Sequence, residues 1–78
     1  MQSLSLIDNA IKEIPTEILT SKIEIFNLSG NLITNFTADD VDRMRFKAKG
    51  LHTIVLKRNK LTSVDFTDME ILKARCIF

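Results

Sequence analysis

LHTIVLKRNKL, residues 51–61, carries apolar side chains at Leu51, Ile54, Leu56 and Leu61 and a lone asparagine, Asn59, between charged neighbours. Ile54 and Leu56 alternate as in a strand, but Leu51 and Leu61 fall outside that period, and no helical spacing accounts for the whole stretch. The same offsets occur twice upstream. MQSLSLIDNAI, from Met1, places Met1, Leu4, Leu6, Asn9 and Ile11 in this way, and IEIFNLSGNLI, from Ile23, places Ile23, Phe26, Leu28, Asn31 and Ile33. Each copy is followed three residues later by another apolar residue, namely Ile14, Phe36 or Val64. The step from Asn9 to Asn31 is 22 residues and that from Asn31 to Asn59 is 28.

A physical reading accounts for the mixed spacing. The two alternating apolar residues of each copy occupy one face of a short strand and point inward. The apolar residue before them enters from a turn, and the two after them leave by another turn, so the chain winds around a shared core. At the bend the backbone turns inward and its polar groups need partners. A buried asparagine amide donates and accepts at once, and so satisfies them. Asn9, Asn31 and Asn59 are therefore expected to stack in a row.

The recurring L-x-x-L-x-L-x-x-N-x-L pattern resembles the leucine-rich repeat, intracellular type, in three copies. The resemblance implies an α/β solenoid: a short right-handed coil with a three-stranded parallel sheet and helical or irregular returns. It spans a single domain, residues 1–78, with repeats at about 1–22, 23–50 and 51–78.

The returns differ. IPTEILTSK is short; Pro15 suits an extended or first-turn position, and Ile18 with Leu19 is expected to face inward. FTADDVDRMRFKAKG predicts a helix, opened by a Thr37–Asp40 capping box and closed by basic residues with Gly50 just beyond. Val41, Met44 and Ala48 share its inner face, Asp39 and Arg43 are spaced to pair, and Phe46 points elsewhere, either under a neighbouring loop or outward as an anchor. The alternation of Arg43, Arg45, Lys47 and Lys49 also fits an amphipathic strand, but the caps favour the helix. FTDMEILKARCIF repeats the helix signature at Thr67 and Glu70, and is expected to bury Ile71, Leu72 and Phe78 as a carboxy-terminal cap.

Composition bounds the function. The chain has 78 residues, 45% apolar and 27% charged, with a net charge of +1, which fits one small folded domain without polyanion-seeking character. One cysteine, Cys76, makes no internal disulfide, and MQSLSLIDNAIKE lacks the basic start of a signal peptide, so a cytoplasmic or otherwise intracellular setting is expected. The sequons Asn27-Leu28-Ser29 and Asn35-Phe36-Thr37 are then coincidental. No apolar run reaches membrane-spanning length. His52 and Cys76 are the sole histidine and cysteine and belong to no metal-ligand cluster, and no glycine-rich phosphate loop occurs, so neither enzyme, metal nor cofactor is expected.

The resemblance implies that outward strand residues form a concave face that binds a protein partner. Those residues are Ser5, Ile7, Asp8, Ile25, Asn27, Ser29, His52, Thr53, Val55, Lys57 and Arg58, flanked by Gln2, Ser3, Glu24 and Gly30. Ile7, Ile25 and Val55 are apolar on a face that should be wet. The function expected is a non-enzymatic protein–protein interaction module. The alternative is a structural, self-associating repeat unit, a fragment or an engineered scaffold, pairing through the first-repeat edge where Gln2, Ser3 and Ser5 carry no charge. Lys57, Arg58 and Lys60 also invite a nucleic-acid partner, but near-neutral charge and the lack of tyrosine and tryptophan argue against it.

Overall fold

The computed structural model describes residues 2–64 and 74–78, leaving aside the side chains of Ser63 and Val64. Three of its strands fall on the alternating residues of the three copies: β1 (Gln2–Ser5), β2 (Ile23–Asn27) and β4 (Thr53–Val55). A fourth, β6 (Arg75–Ile77), joins them in one parallel sheet of order β1-β2-β4-β6. The expected three-stranded sheet is thus corrected to four strands. The register follows the copies: Leu4 lies opposite Phe26, Phe26 opposite Ile54, and Ile54 opposite Cys76. β6 therefore takes up the inward–outward alternation of a further copy, inside the stretch assigned to the third repeat. Its cause is visible in Ala74–Phe78, where Cys76 and Phe78 stand at the spacing of Leu4 and Leu6.

Backbone bonds repeat at equivalent points. Leu6 N donates to Asn27 O at 2.8 Å, Leu28 N to Val55 O at 2.8 Å and Leu56 N to Ile77 O at 2.7 Å. Beyond the strands the asparagines close the bends as expected. Asn31 is buried; its Oδ1 accepts from Asn9 N at 2.9 Å and Ile11 N at 3.1 Å. Its Nδ2 donates to Leu6 O at 2.9 Å, Leu28 O at 2.8 Å and Ser29 O at 3.3 Å. Asn59 reaches back in the same way, accepting from Ile33 N and donating to Leu28 O and to Leu56 O. Asn9 is exposed, and its side-chain Nδ2 donates to Ile7 O, two residues away. Each amide thus bonds the copy before its own, and the first has none before it among the described residues.

The residue preceding each asparagine adopts left-handed backbone geometry: Asp8 at φ 58°, Gly30 at φ 71° and Arg58 at φ 56°. Only glycine takes this conformation without steric cost. At Gly30 a Cβ would also collide with the Asp8 carboxylate.

The returns run through two short strands and a helix. β3 (Asn35–Phe36) pairs in parallel with β5 (Ser63–Val64), forming a second, two-stranded sheet. α1 (Ala38–Lys47) begins at the expected capping box: Asp40 N donates to Thr37 Oγ1 at 3.4 Å, and Thr37 N to Asp40 Oδ2 at 3.1 Å. Val41, Met44 and Ala48 are all buried, as their shared face requires. The helix ends at Lys47 with Ala48 as its cap. Gly50 keeps to ordinary backbone geometry and instead lets the Ser21 carbonyl approach closely. Asp39 and Arg43 form no ion pair among the described residues, where the one close acid–base contact is His52 with Glu24. The first return contains a 3-10 turn at Thr16–Ile18. It buries Leu19 but leaves Ile18 43% exposed, against the expectation that both face inward.

One apolar cluster unites these elements. Phe26, Leu28, Ile33, Phe36, Met44 and Ile54 have essentially no exposure, while Leu4, Leu6, Ile11, Leu61 and Cys76 pack around them partly buried. Each fully covered side chain stabilises the fold by about 1.5–3 kcal/mol. The middle copy is the best covered because it has neighbours on both sides. The anticipated tail helix, with Thr67, Glu70, Ile71 and Leu72, lies outside the described residues. Phe78, expected to be buried with it, is 49% exposed.

Candidate functional site

Alternation divides the main sheet into two faces. Leu4, Phe26, Ile54 and Cys76 form one row on the core side. On the other face Ser3, Ile25, Thr53 and Arg75 form one row, and Ser5, Asn27, Val55 and Ile77 the next. Ser3, Ser5 and Arg75 are exposed, and the remaining five are half-buried. The sheet thereby gathers Ser5, Ile25, Asn27, Thr53 and Val55, which the sequence assigns to a common face. It adds Arg75 and Ile77, which sequence reasoning missed. The signal for them was the alternation of Arg75, Cys76, Ile77 and Phe78.

Beyond the strands the candidates diverge. Ile7 is 40% exposed, and Asp8, Lys57 and Arg58 are exposed at the same end of the sheet. Ser29 is not on this surface: it is buried at 5% exposure, contrary to expectation. The cause is local. Both its backbone N–H and its hydroxyl donate to Asn27 Oδ1, at 3.1 and 2.8 Å, and the resulting turn draws Ser29 beneath the face. Asn27, the first sequon residue, thus has its amide oxygen committed to the turn.

At the opposite end, His52 bridges two strands. Its Nε2 stands 3.5 Å from Glu24 Oε2, and its Nδ1 is 3.0 Å from Thr53 Oγ1. His52, just before β4, lies alongside the strand that carries Cys76, since Arg75 N donates to His52 O. They remain chemically apart because Cys76 faces the core and His52 the solvent. Burial pushes the Cys76 thiol above its ordinary pKa, the reverse of what an activated nucleophile requires.

Two further features lie away from this face. Phe46 is 79% exposed on α1, which settles its two alternatives in favour of the outward position. An open polar groove is lined by residues that include Lys12, Glu13, Glu17, Asn35 and Arg43. No sequence motif marks it. Among the described residues no three histidine, cysteine or acidic side chains converge as a metal site would need. Nor is any described helix long and apolar enough to cross a membrane. Comparisons with protein-family models, with curated proteins and with solved structures found no match.

Proposed function

We propose that this chain is a leucine-rich-repeat solenoid that acts as a non-enzymatic interaction module, binding a protein partner through the outward face of its main sheet. The observation that carries the reading is the pair of rows on that face, where Val55 and Ile77 are half-buried register partners and the half-buried Ile25 stands diagonal to Val55. The core does not require these side chains, yet a partner could cover them at little ordering cost, because the strands beneath are held by ladder bonds. Asn31 and Asn59 support the solenoid reading, each tying its own bend to the preceding copy. The single thiol suits a reducing compartment.

The test is hydrogen exchange on the chain with and without a partner recovered by affinity capture, alongside a Val55→Lys variant. Slowed exchange over β1, β2 and β4, with capture lost in the variant, is expected. Protection confined to α1, or undiminished capture by the folded variant, would overturn the assignment of the face.

A second reading, self-association, is favoured by one observation. β1 is exposed except at Leu4 and hydrogen-bonds only to β2 among the described residues, with no charged side chain on it. The opposite edge belongs to β6, which carries Arg75, so charge still directs edge pairing towards β1. Ser5→Lys should then shift sedimentation towards monomer. A chain that sediments as a monomer at every concentration removes this reading.

A further inference from the structure

We infer that the partner segment for the sheet face is acidic, an extended peptide with carboxylates flanking aliphatic side chains, and that it seats over β4 and β6. The inference rests on the sheet-face reading and adds the chemistry of what that face accepts. Charge on the face is divided. Lys57, Arg58 and Arg75 all lie on the β4–β6 half and are all exposed. None has a carboxylate within ion-pair distance among the described residues, where the single such contact joins His52 to Glu24. Val55 and Ile77 are register partners on that same half, with Arg75 diagonal to Val55 and Lys57 one alternation further along the chain. An extended segment repeats its side chains every second residue, which matches a surface that alternates aliphatic and cationic positions.

The other half of the face discriminates against alternatives. Asp8 and Glu24 sit on the β1–β2 side, so a uniformly anionic polymer crossing the whole sheet would meet repulsion there. Neither row of the face contains an aromatic ring, whereas binding of single-stranded nucleic acid draws much of its energy from bases stacked on aromatic side chains. The aliphatic pair suits a peptide better. Arg75 is the decisive residue, because it reaches this surface only through the addition of β6 to the sheet.

The assay is fluorescence anisotropy with a labelled octapeptide alternating glutamate and valine. The comparison probes are a lysine–valine octapeptide, a glutamate–glycine octapeptide and a single-stranded RNA octamer. The glutamate–valine peptide should bind best and weaken as salt rises from about 50 to 300 mM. Arg75→Glu and Lys57→Glu, each verified as folded by circular dichroism, should weaken it about tenfold. Equal binding of the lysine–valine peptide, tighter binding of RNA, unchanged affinity in Arg75→Glu, or no binding of any probe would each overturn the acidic assignment. Exchange protection of the sheet by a captured partner would survive every one of those results, so failure here is distinguishable from failure of the sheet face itself.

Discussion

Replacing Asn31 by alanine removes an amide that bonds to five backbone groups, in a residue 2% exposed. Leu28 O would keep a partner in Asn59 Nδ2, and Ser29 O loses only a long bond of 3.3 Å. The remaining three, Asn9 N, Ile11 N and Leu6 O, would lose a short one. A buried polar group left unsatisfied costs about 1–3 kcal/mol. Because Ile11 and Leu6 are only partly covered, water relieves some of that cost, and a total of about 2–4 kcal/mol is expected. A domain of this size has roughly 3–5 kcal/mol in all, so the variant should be substantially unfolded. Asn59→Ala should cost less, as Asn59 is half-buried, and Asn9→Ala should fall within about 0.5 kcal/mol of the parent. The chain has no tryptophan or tyrosine, so urea unfolding followed by far-ultraviolet circular dichroism is the appropriate measurement. With a slope of about 1 kcal/mol/M, the midpoint for Asn31→Ala should drop by about 2 M or more. Asn31→Asp separates hydrogen bonding from volume: it keeps the shape but turns a carboxylate oxygen towards Leu6 O and Leu28 O, and should be at least as damaging. If Asn31→Ala moved the midpoint no further than Asn9→Ala or Asn35→Ala, the asparagine could not be the tie between copies.

Leu28→Ala, at a site with no exposure, should cost about 2–5 kcal/mol, against about 1–2 kcal/mol for the partly covered Leu6→Ala; equal unfolding midpoints would contradict the order of coverage. The left-handed positions predict opposite signs: Gly30→Ala should destabilise by about 1–2 kcal/mol, whereas Arg58→Gly should be neutral or stabilising by up to about 1 kcal/mol. Thermal melts of the two would disprove the strain argument if both moved the same way. Burial holds the Cys76 thiol protonated, so it should react with a thiol reagent only at higher pH than a free cysteine, and unfolding in urea should restore ordinary reactivity. Because its folded pKa is raised, the stability it contributes is complete below the unfolded pKa and lost as pH rises through the folded one. Reaction at the rate of a free thiol in the folded state would contradict the burial.

Much of the fold was legible in the sequence, because the relevant signals are local and repeat. The alternation in each copy sets which side chains point inward, and the offset between copies sets the strand register, so Leu4, Phe26 and Ile54 align as their sequence positions require. The helix start was equally readable, since Thr37 and Asp40 satisfy each other within one turn. The asparagines were legible as a row, but their unequal importance was not: an amide's worth depends on how many backbone groups surround it, and that depends on which copies lie alongside. Tertiary structure alone decided the rest. It drew Ser29 under the face through a bond to Asn27, left Ile18 and Phe46 outside, and placed left-handed geometry at Asp8, Gly30 and Arg58, three residue types with no common propensity. It also brought Arg75 and Ile77 against β4, completing the cationic half of the sheet. Periodicity along a chain states which way a side chain points, whereas exposure and pairing depend on what another part of the chain places over it.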